Sequence, residues 1–198
     1  MVKMENPFLN QNKSEPGKML SPTTDEHLSE YVQQIITTQK KLKEFQQSNE
    51  FMICLVNDEA LMHYNFALEK LSGPIIGPYD ILDVYYNLEQ MLHIRFDPRA
   101  YDVESFRGKI SSIQKILEVP YYAALIYDQK KHIRNLENLA QKTGNKFEVR
   151  DLCDDLERAA ITLDQIKELY KAALILSSLR TLEDAGICKL GPSSQEEV

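Results

Sequence analysis

The sequence predicts an all-α protein: an elongated bundle of five or six helices, the longest of them coiled-coil-like. Chain breakers are few, with 7 glycines and 8 prolines among 198 residues. None of them lies in the intervals 23–72, 121–143 or 145–185, and long intervals without breakers are typical of helices. Within these intervals apolar residues recur three and four positions apart, as on amphipathic helices. All-β sandwiches and dinucleotide-binding α/β domains need more frequent turns and are disfavoured.

The first ordered segment follows a polar leader over residues 1–22. Thr23 and Glu26 have the spacing of a capping box, which predicts that a helix begins there. One apolar stripe then follows, formed by Leu28, Val32, Ile35, Leu42 and Phe45. The segment from 51 to 71 is apolar around more of its circumference. Because no strong breaker separates the two segments, one long bent helix is favoured over two helices that meet near Ser48.

The remaining helices are delimited by turns and caps. The turn at 73–78 precedes a helix from Pro78 to about Phe96, and Asp102 is placed to cap the next, which runs to about Glu118. Pro120 predicts a break before a fifth helix over 121–143. The last helix is expected from about residue 148 to 185, ending at a glycine. We therefore expect three parts: the leader 1–22, a helical bundle domain 23–186, and a tail 187–198.

Composition and charge limit the function. The formal net charge is −7 and the pI is about 5.2, so the chain is a poor non-specific ligand for nucleic acid or anionic membrane. Its three cysteines (Cys54, Cys153 and Cys188) form no Cys-x-x-Cys pair, which favours a reducing compartment. No apolar run is long enough to span a bilayer. We expect a cytoplasmic protein without a transmembrane segment.

Two carboxylate–histidine pairs are the main candidates for chemistry. Glu59/His63 and Glu89/His93 are each four residues apart, which places each pair on one helix face. Di-metal helical bundles use such residues, but with histidine three positions after glutamate. The preferred interpretation is ordinary polar pairs on helix faces, or histidines packed at an interface, with a helical-bundle metalloprotein as the alternative. There is no nucleophile elbow and no glycine-rich phosphate loop, so we expect no catalytic activity and no cofactor.

Two basic clusters and a group of tyrosines are further candidates. The clusters, at 40–43 and 130–134, are interpreted as solvated helix faces, with a nucleic-acid regulator as the alternative. Tyrosine is concentrated in the middle third of the chain, where it is expected to line helix packing and partner-facing surface. These residues are Tyr79, Tyr85, Tyr86, Tyr101, Tyr121, Tyr122 and Tyr127.

The leader contains the tripeptide Asn6, Pro7 and Phe8. It resembles the ligand motif of EH domains, the peptide-binding modules of endocytic traffic, in which an Asn-Pro turn presents phenylalanine to an apolar pocket. The resemblance implies a partner-binding role for these residues and a place in membrane traffic. It covers only this tripeptide.

The function that the sequence favours is non-catalytic binding of other proteins through amphipathic helix faces, as an adaptor or a subunit of a larger assembly. Self-association is compatible with the same faces. The alternatives are a secreted bacterial effector or virulence-associated helical protein, the metalloprotein and the nucleic-acid regulator.

Overall fold

The structure is a computed structural model that describes residues 24–97, 101–143 and 146–187, without the side chains of residues 24–30 and 146. Every regular element in these ranges is helical, which confirms the predicted all-α class. The seven α-helices found there exceed the five or six expected. They are α1 (Thr24–Gln46), α2 (Met52–Leu55), α3 (Asp58–Leu71), α4 (Pro78–His93), α5 (Val103–Ile116), α6 (Glu118–Lys142) and α7 (Lys146–Asp184).

The first long segment is broken, and the prediction of one continuous helix over it was wrong. After α1 the backbone of Ser48 is extended and a 3-10 turn follows over Asn49–Phe51. Asn57 is extended as well, and its side chain accepts a hydrogen bond of 2.9 Å from the Ala60 amide. Serine and asparagine side chains hydrogen-bond the backbone locally and therefore favour caps over helix interiors. Ser48 and Asn57 thus mark the two breaks without any glycine or proline, and only Asn57 makes a side-chain cap bond.

The helices α4 and α5 begin at the predicted residues, whereas α6 begins earlier than predicted. Pro78 is the first residue of α4, and Asp80 accepts a 2.9 Å hydrogen bond from the Gly77 amide. The side chain of Asp102 caps α5 by accepting from the Ser105 amide. Pro120, expected as a breaker, lies in the first turn of α6. An amide there has no intrahelical acceptor, so proline costs little.

The last helix is 39 residues long, which corresponds to about 58 Å. It ends as predicted. Gly186 has φ 71°, a left-handed conformation that glycine adopts without steric cost. Its amide donates to the Glu183 carbonyl at 2.9 Å, and the Ile187 amide donates to the Leu182 carbonyl at 2.9 Å. This pair of bonds is a Schellman motif, which satisfies carbonyls that the helix end leaves open.

The hydrophobic core is built from α1 to α5 and the first turns of α6. Its centre is aromatic: the ring of Phe45 lies 5.8 Å from those of Phe51 and Phe106, and 6.0 Å from that of Tyr64. The Tyr64 hydroxyl, fully buried, donates to the Leu42 carbonyl at 3.1 Å. None of the described α7 side chains belongs to this cluster. The longest helix is therefore attached to the outside of the core.

The inward seam of α1 differs from the predicted stripe by one position. Val32 is 46% exposed, whereas Tyr31 packs against the core. The buried positions that continue the seam are Ile35, Thr38, Leu42 and Phe45. Thr38 was missed because it is polar, but its hydroxyl is satisfied by the Gln34 carbonyl at 2.8 Å.

No helix in the described ranges is both long and apolar enough to cross a membrane. The predicted leader and the predicted capping residue Thr23 lie outside the described residues, as does the tail beyond Ile187.

Candidate partner-binding surfaces

The leader motif of Asn6, Pro7 and Phe8 lies outside the described residues. Its predicted role stays a prediction from the sequence.

The four candidate metal ligands do not come together. His63 of α3 is buried, and its Nδ1 lies 2.7 Å from Oδ1 of Asn87 on α4. The Asn87 amide nitrogen already donates to the Asp83 carbonyl, so its oxygen accepts and Nδ1 of His63 carries the proton. The other three (Glu59, Glu89 and His93) are exposed. No group of three histidine, cysteine, aspartate or glutamate residues in the described ranges has metal-binding geometry. His63 is packed at the interface of α3 and α4, whereas the other three lie on exposed helix faces, and this placement gives no support to the metalloprotein alternative.

The two cysteines of the described ranges occupy opposite environments. Cys54 is buried, and this burial raises the pKa of its thiol to about 12. A thiol with so high a pKa is a poor nucleophile at neutral pH, because the thiolate is the reactive form. Cys153 is exposed on α7.

The helices α6 and α7 form an antiparallel hairpin that extends beyond the core. Residues 143–145 connect them, and the side chain of Gln129 donates to the Ala159 carbonyl across the pair at 3.0 Å. From Leu125 to Arg158 no described side chain is fully buried. Two helices alone cannot enclose a side chain on all sides, so this stretch has no interior of its own.

Large apolar side chains of α7 are found on its exposed side as well as small ones on its packed side. Ala159 and Ala173 are buried on the inner face, whereas Ile161 and Ile175 are 54% and 61% exposed. Each isoleucine follows an alanine by two residues, which is about 200° around a helix. Leu169 and Leu176 are exposed as well, by 50% and 45%. We call Ile161, Leu169, Ile175 and Leu176 the α7 outer face. The sequence analysis found only the inner seam, and the exposed residues could have been found by plotting the same helix for a second apolar stripe.

The C-terminal third of α7 is held to the core by polar contacts. The Gln34 side chain on α1 donates to the Ser177 hydroxyl at 2.7 Å. The Arg180 guanidinium donates to the Lys115 carbonyl at 3.2 Å and lies 3.8 Å from the Glu118 carboxylate. These contacts fix which side of α7 faces the core, and they leave the outer face uncovered.

A second surface feature is a small groove of about 180 Å³ between α4 and α6. We call it the tyrosine groove; it is lined by Leu82, Tyr85, Tyr86, Glu89, Tyr121 and Leu125. The rings of Tyr85 and Tyr121 stack at a centroid distance of 3.7 Å with 13° between their planes. The positions on α4 follow the spacing of one helix face. This part of the predicted tyrosine packing is present, and the sequence reasoning did not identify the groove itself.

The tyrosines in and beside the tyrosine groove lie close to two carboxylates. Burial raises the pKa of Tyr121, and the Glu89 carboxylate raises it further. Burial and then Glu118 do the same for the pKa of Tyr85 and of Tyr122. Glu118 is close to Arg180, whereas Glu89 has no hydrogen bond or ion pair with any described residue.

The basic clusters are partly occupied by contacts within the chain. The ammonium groups of Lys40 and Lys41 lie 3.8 and 2.9 Å from the Glu44 carboxylate. That of Lys131 donates to the Tyr79 hydroxyl at 3.0 Å and lies 5.0 Å from the centre of its ring. These contacts fit the interpretation as helix-face residues.

Comparison with known proteins found no matching family model, no matching curated protein and no matching solved structure.

Proposed function

We propose that this chain is a non-catalytic interaction protein, an adaptor or a subunit of a larger assembly, that binds a partner helix along the α7 outer face. The observation that carries the proposal is that α7 leaves four large apolar side chains exposed while it packs within the chain through others. One face is used within the chain, and the other exposes Ile161, Leu169, Ile175 and Leu176. Exposed Asp164, Gln165 and Glu168 lie between these apolar residues, so the surface is mixed, with large apolar side chains set among polar ones as at many protein contact sites.

The shape of the surface favours a helix as its occupant. Ala159 and Ala173 are separated by the same fourteen residues as Ile161 and Ile175, which is close to four helical turns. A partner helix that packs beside α7 would meet apolar side chains at both ends of that length and polar ones, including Gln165 and Glu168, between them, in the manner of a helix–helix contact. The coiled-coil character predicted for the long helices enters the proposal here.

The experiment is site-specific photo-crosslinking in cells of the source organism. A photoreactive residue at position 161 or 175 is expected to give a crosslinked product of one defined mass, and the same residue at Glu104 of α5, also exposed, is not. Equal crosslinking at all three positions, or none at 161 and 175, would overturn the proposal.

A second copy of the chain is the first partner to test, because it needs no other component. Light scattering of the purified protein over a range of concentrations gives its mass, to be compared with 22.9 kDa for one chain. Where the crosslinked product is a dimer, Ile161→Glu with Ile175→Glu is expected to return the mass to one chain. Leu55→Glu with Met62→Glu is the matched control, since both residues are over half exposed elsewhere.

The leader motif supplies a separate route to a partner. We propose that Asn6, Pro7 and Phe8 bind an EH domain, and this part of the proposal is supported by the sequence alone. The full chain is expected to bind an isolated EH domain, and Phe8→Ala is expected to abolish that binding. Equal binding by the two chains would remove the link to membrane traffic.

A further inference from the structure

The interface between α4 and α6 already contains one complete site for a lysine side chain. At the first turn of α4, the Lys131 ammonium lies 5.0 Å from the centre of the Tyr79 ring and donates to the Tyr79 hydroxyl. That hydroxyl in turn donates to the Asp128 carboxylate at 3.0 Å. A cation over a tyrosine face is stabilised by the negative potential of the ring, and a nearby carboxylate adds to it.

The tyrosine groove repeats this arrangement two turns further along α4 without the lysine. It has the rings of Tyr85, Tyr86 and Tyr121 and the carboxylate of Glu89. In the described part of the chain no lysine or arginine lies over these rings, and none pairs with Glu89. The aromatic and acidic groups of a cation site are present here, and the cation is absent from the chain itself.

The size and walls of the groove indicate one side chain as its occupant. Its volume of about 180 Å³ is below the roughly 300 Å³ at which pockets for drug-sized ligands begin. Leu82 and Leu125 add apolar wall beside the rings. A lysine side chain matches both the apolar walls and the Glu89 carboxylate, because its methylene stem packs on apolar surface while its ammonium group pairs with a negative charge.

We infer that the tyrosine groove binds a lysine side chain of a partner protein. The stem lies against Leu82, Leu125 and the Tyr86 ring, and the ammonium group pairs with Glu89. This inference rests on the proposed function, since it names a feature of the partner, but its site is separate from the α7 outer face.

The test is an NMR titration of the full chain, carrying isotope-labelled tyrosine, with two capped pentapeptides. One has a central lysine between glycines, and the other has norleucine, which keeps a similar stem without the charge. The lysine peptide is expected to shift the ring signals of Tyr85, Tyr86 and Tyr121, with binding in the millimolar range. The norleucine peptide is expected to bind at least about fivefold more weakly.

Two variants locate the binding. Glu89→Gln removes the charge and keeps the side-chain size, and Tyr86→Leu removes a ring that is 58% exposed, so neither is expected to disturb folding. Each is expected to weaken lysine-peptide binding about fivefold. Glu69→Gln, an exposed carboxylate on α3, is the matched control and is expected to bind as the unmodified chain does.

The outcomes separate this inference from the proposed function. Equal binding of the two peptides, no shift with either, or equal loss in Glu69→Gln and Glu89→Gln would overturn it. Ile161→Glu with Ile175→Glu is expected to leave the lysine titration unchanged while it abolishes crosslinking from a photoreactive residue at position 169 of the same face. A failure at the tyrosine groove therefore leaves the α7 outer face standing, and the reverse also holds.

Discussion

At the scale of single residues, the contact between His63 and Asn87 has the clearest energetic consequence. Both side chains are 9% exposed and are joined across α3 and α4 at 2.7 Å. Replacing one partner leaves a buried polar group without its hydrogen bond, and such a group costs about 1–3 kcal/mol. Replacing both removes the need for the bond.

We predict that Asn87→Leu destabilises the protein by about 1–3 kcal/mol, and that the added change His63→Leu costs less in this background than alone. Urea unfolding of the two single variants and the double variant gives the coupling energy. The control Asn65→Leu on the exposed side of α3 is expected to stay within about 0.5 kcal/mol. Additive effects of the two leucine substitutions would contradict the buried bond.

Glu50 gives the stability a pH dependence. The Lys109 ammonium, the backbone amide of Glu50 and the Ser105 hydroxyl all hydrogen-bond its carboxylate, in that order of effect, and lower its pKa from 4.5 to about 2. A carboxyl whose pKa is lower in the folded state stabilises the fold above its unfolded pKa. That contribution is lost as the pH falls through the folded pKa.

We therefore predict that Glu50→Gln is less stable than the unmodified chain at pH 6, and that the difference shrinks as the pH falls from about 4.5 to 2. The measurement is the urea midpoint of each chain at several pH values. Glu157→Gln, which changes an exposed carboxylate on α7, serves as control. A difference in urea midpoint between the two chains that stays constant down to pH 2 would show that the contacts of Glu50 do not depend on its charge.

At the scale of elements, the cap of α3 decides how the first half of the chain folds. Asn57 is extended, and its side chain accepts from the Ala60 amide at 2.9 Å. This cap starts α3 in a new direction after α2, so that Tyr64 and Ala67 reach the core. If α1 and α3 formed one straight helix, Tyr64 and Ala67 would lie too far along it to pack against the core.

We predict that Asn57→Ala lowers the free energy of unfolding by about 1 kcal/mol, whereas Asn57→Ser, which keeps a capping oxygen, lowers it by less than half as much. Urea unfolding followed by circular dichroism measures both. Equal stability of the alanine and serine variants would show that the cap contributes nothing.

At the scale of the whole molecule, stability is expected to differ between the core and the α6–α7 hairpin. The core holds the fully buried aromatic and aliphatic side chains of α1 to α5. The described side chains between Leu125 and Arg158 are at most partly buried. Local opening of a segment costs less free energy where it exposes less apolar surface.

We predict that amide hydrogen exchange is slowest in α3, α4 and α5, and at least tenfold faster in residues 132–142 and 147–156. Exchange followed by mass spectrometry of peptides resolves these segments. The N-terminal turns of α6, which include the buried Ala124, are the internal reference and are expected to exchange with the core. Uniform protection along α6 would mean that the hairpin opens only with the whole protein.

Several features could be predicted from the sequence because they depend on local chemistry. Apolar spacing and the lack of glycine and proline predicted the helical class, and Gly186 predicted where α7 ends. The break near Ser48 was foreseen only as the less favoured alternative, and the one at Asn57 was missed, since such residues end helices only where neighbouring packing favours the change in direction. The concentration of tyrosines was visible in the sequence, but not the groove that Tyr85 and Tyr121 form across α4 and α6.

The sequence by itself determined the all-α class and several helix ends, such as those at Pro78, Asp102 and Gly186, because these follow from spacing and caps within a few residues. Only the tertiary structure decided which faces of those helices are used. Ala159 and Ile161 belong to the same apolar helix, yet one is buried and the other is exposed. The reason is that a side chain is buried only where another part of the chain packs against it, and the rest of the chain packs against only one side of α7. The surfaces proposed for partners are those that the packing leaves uncovered.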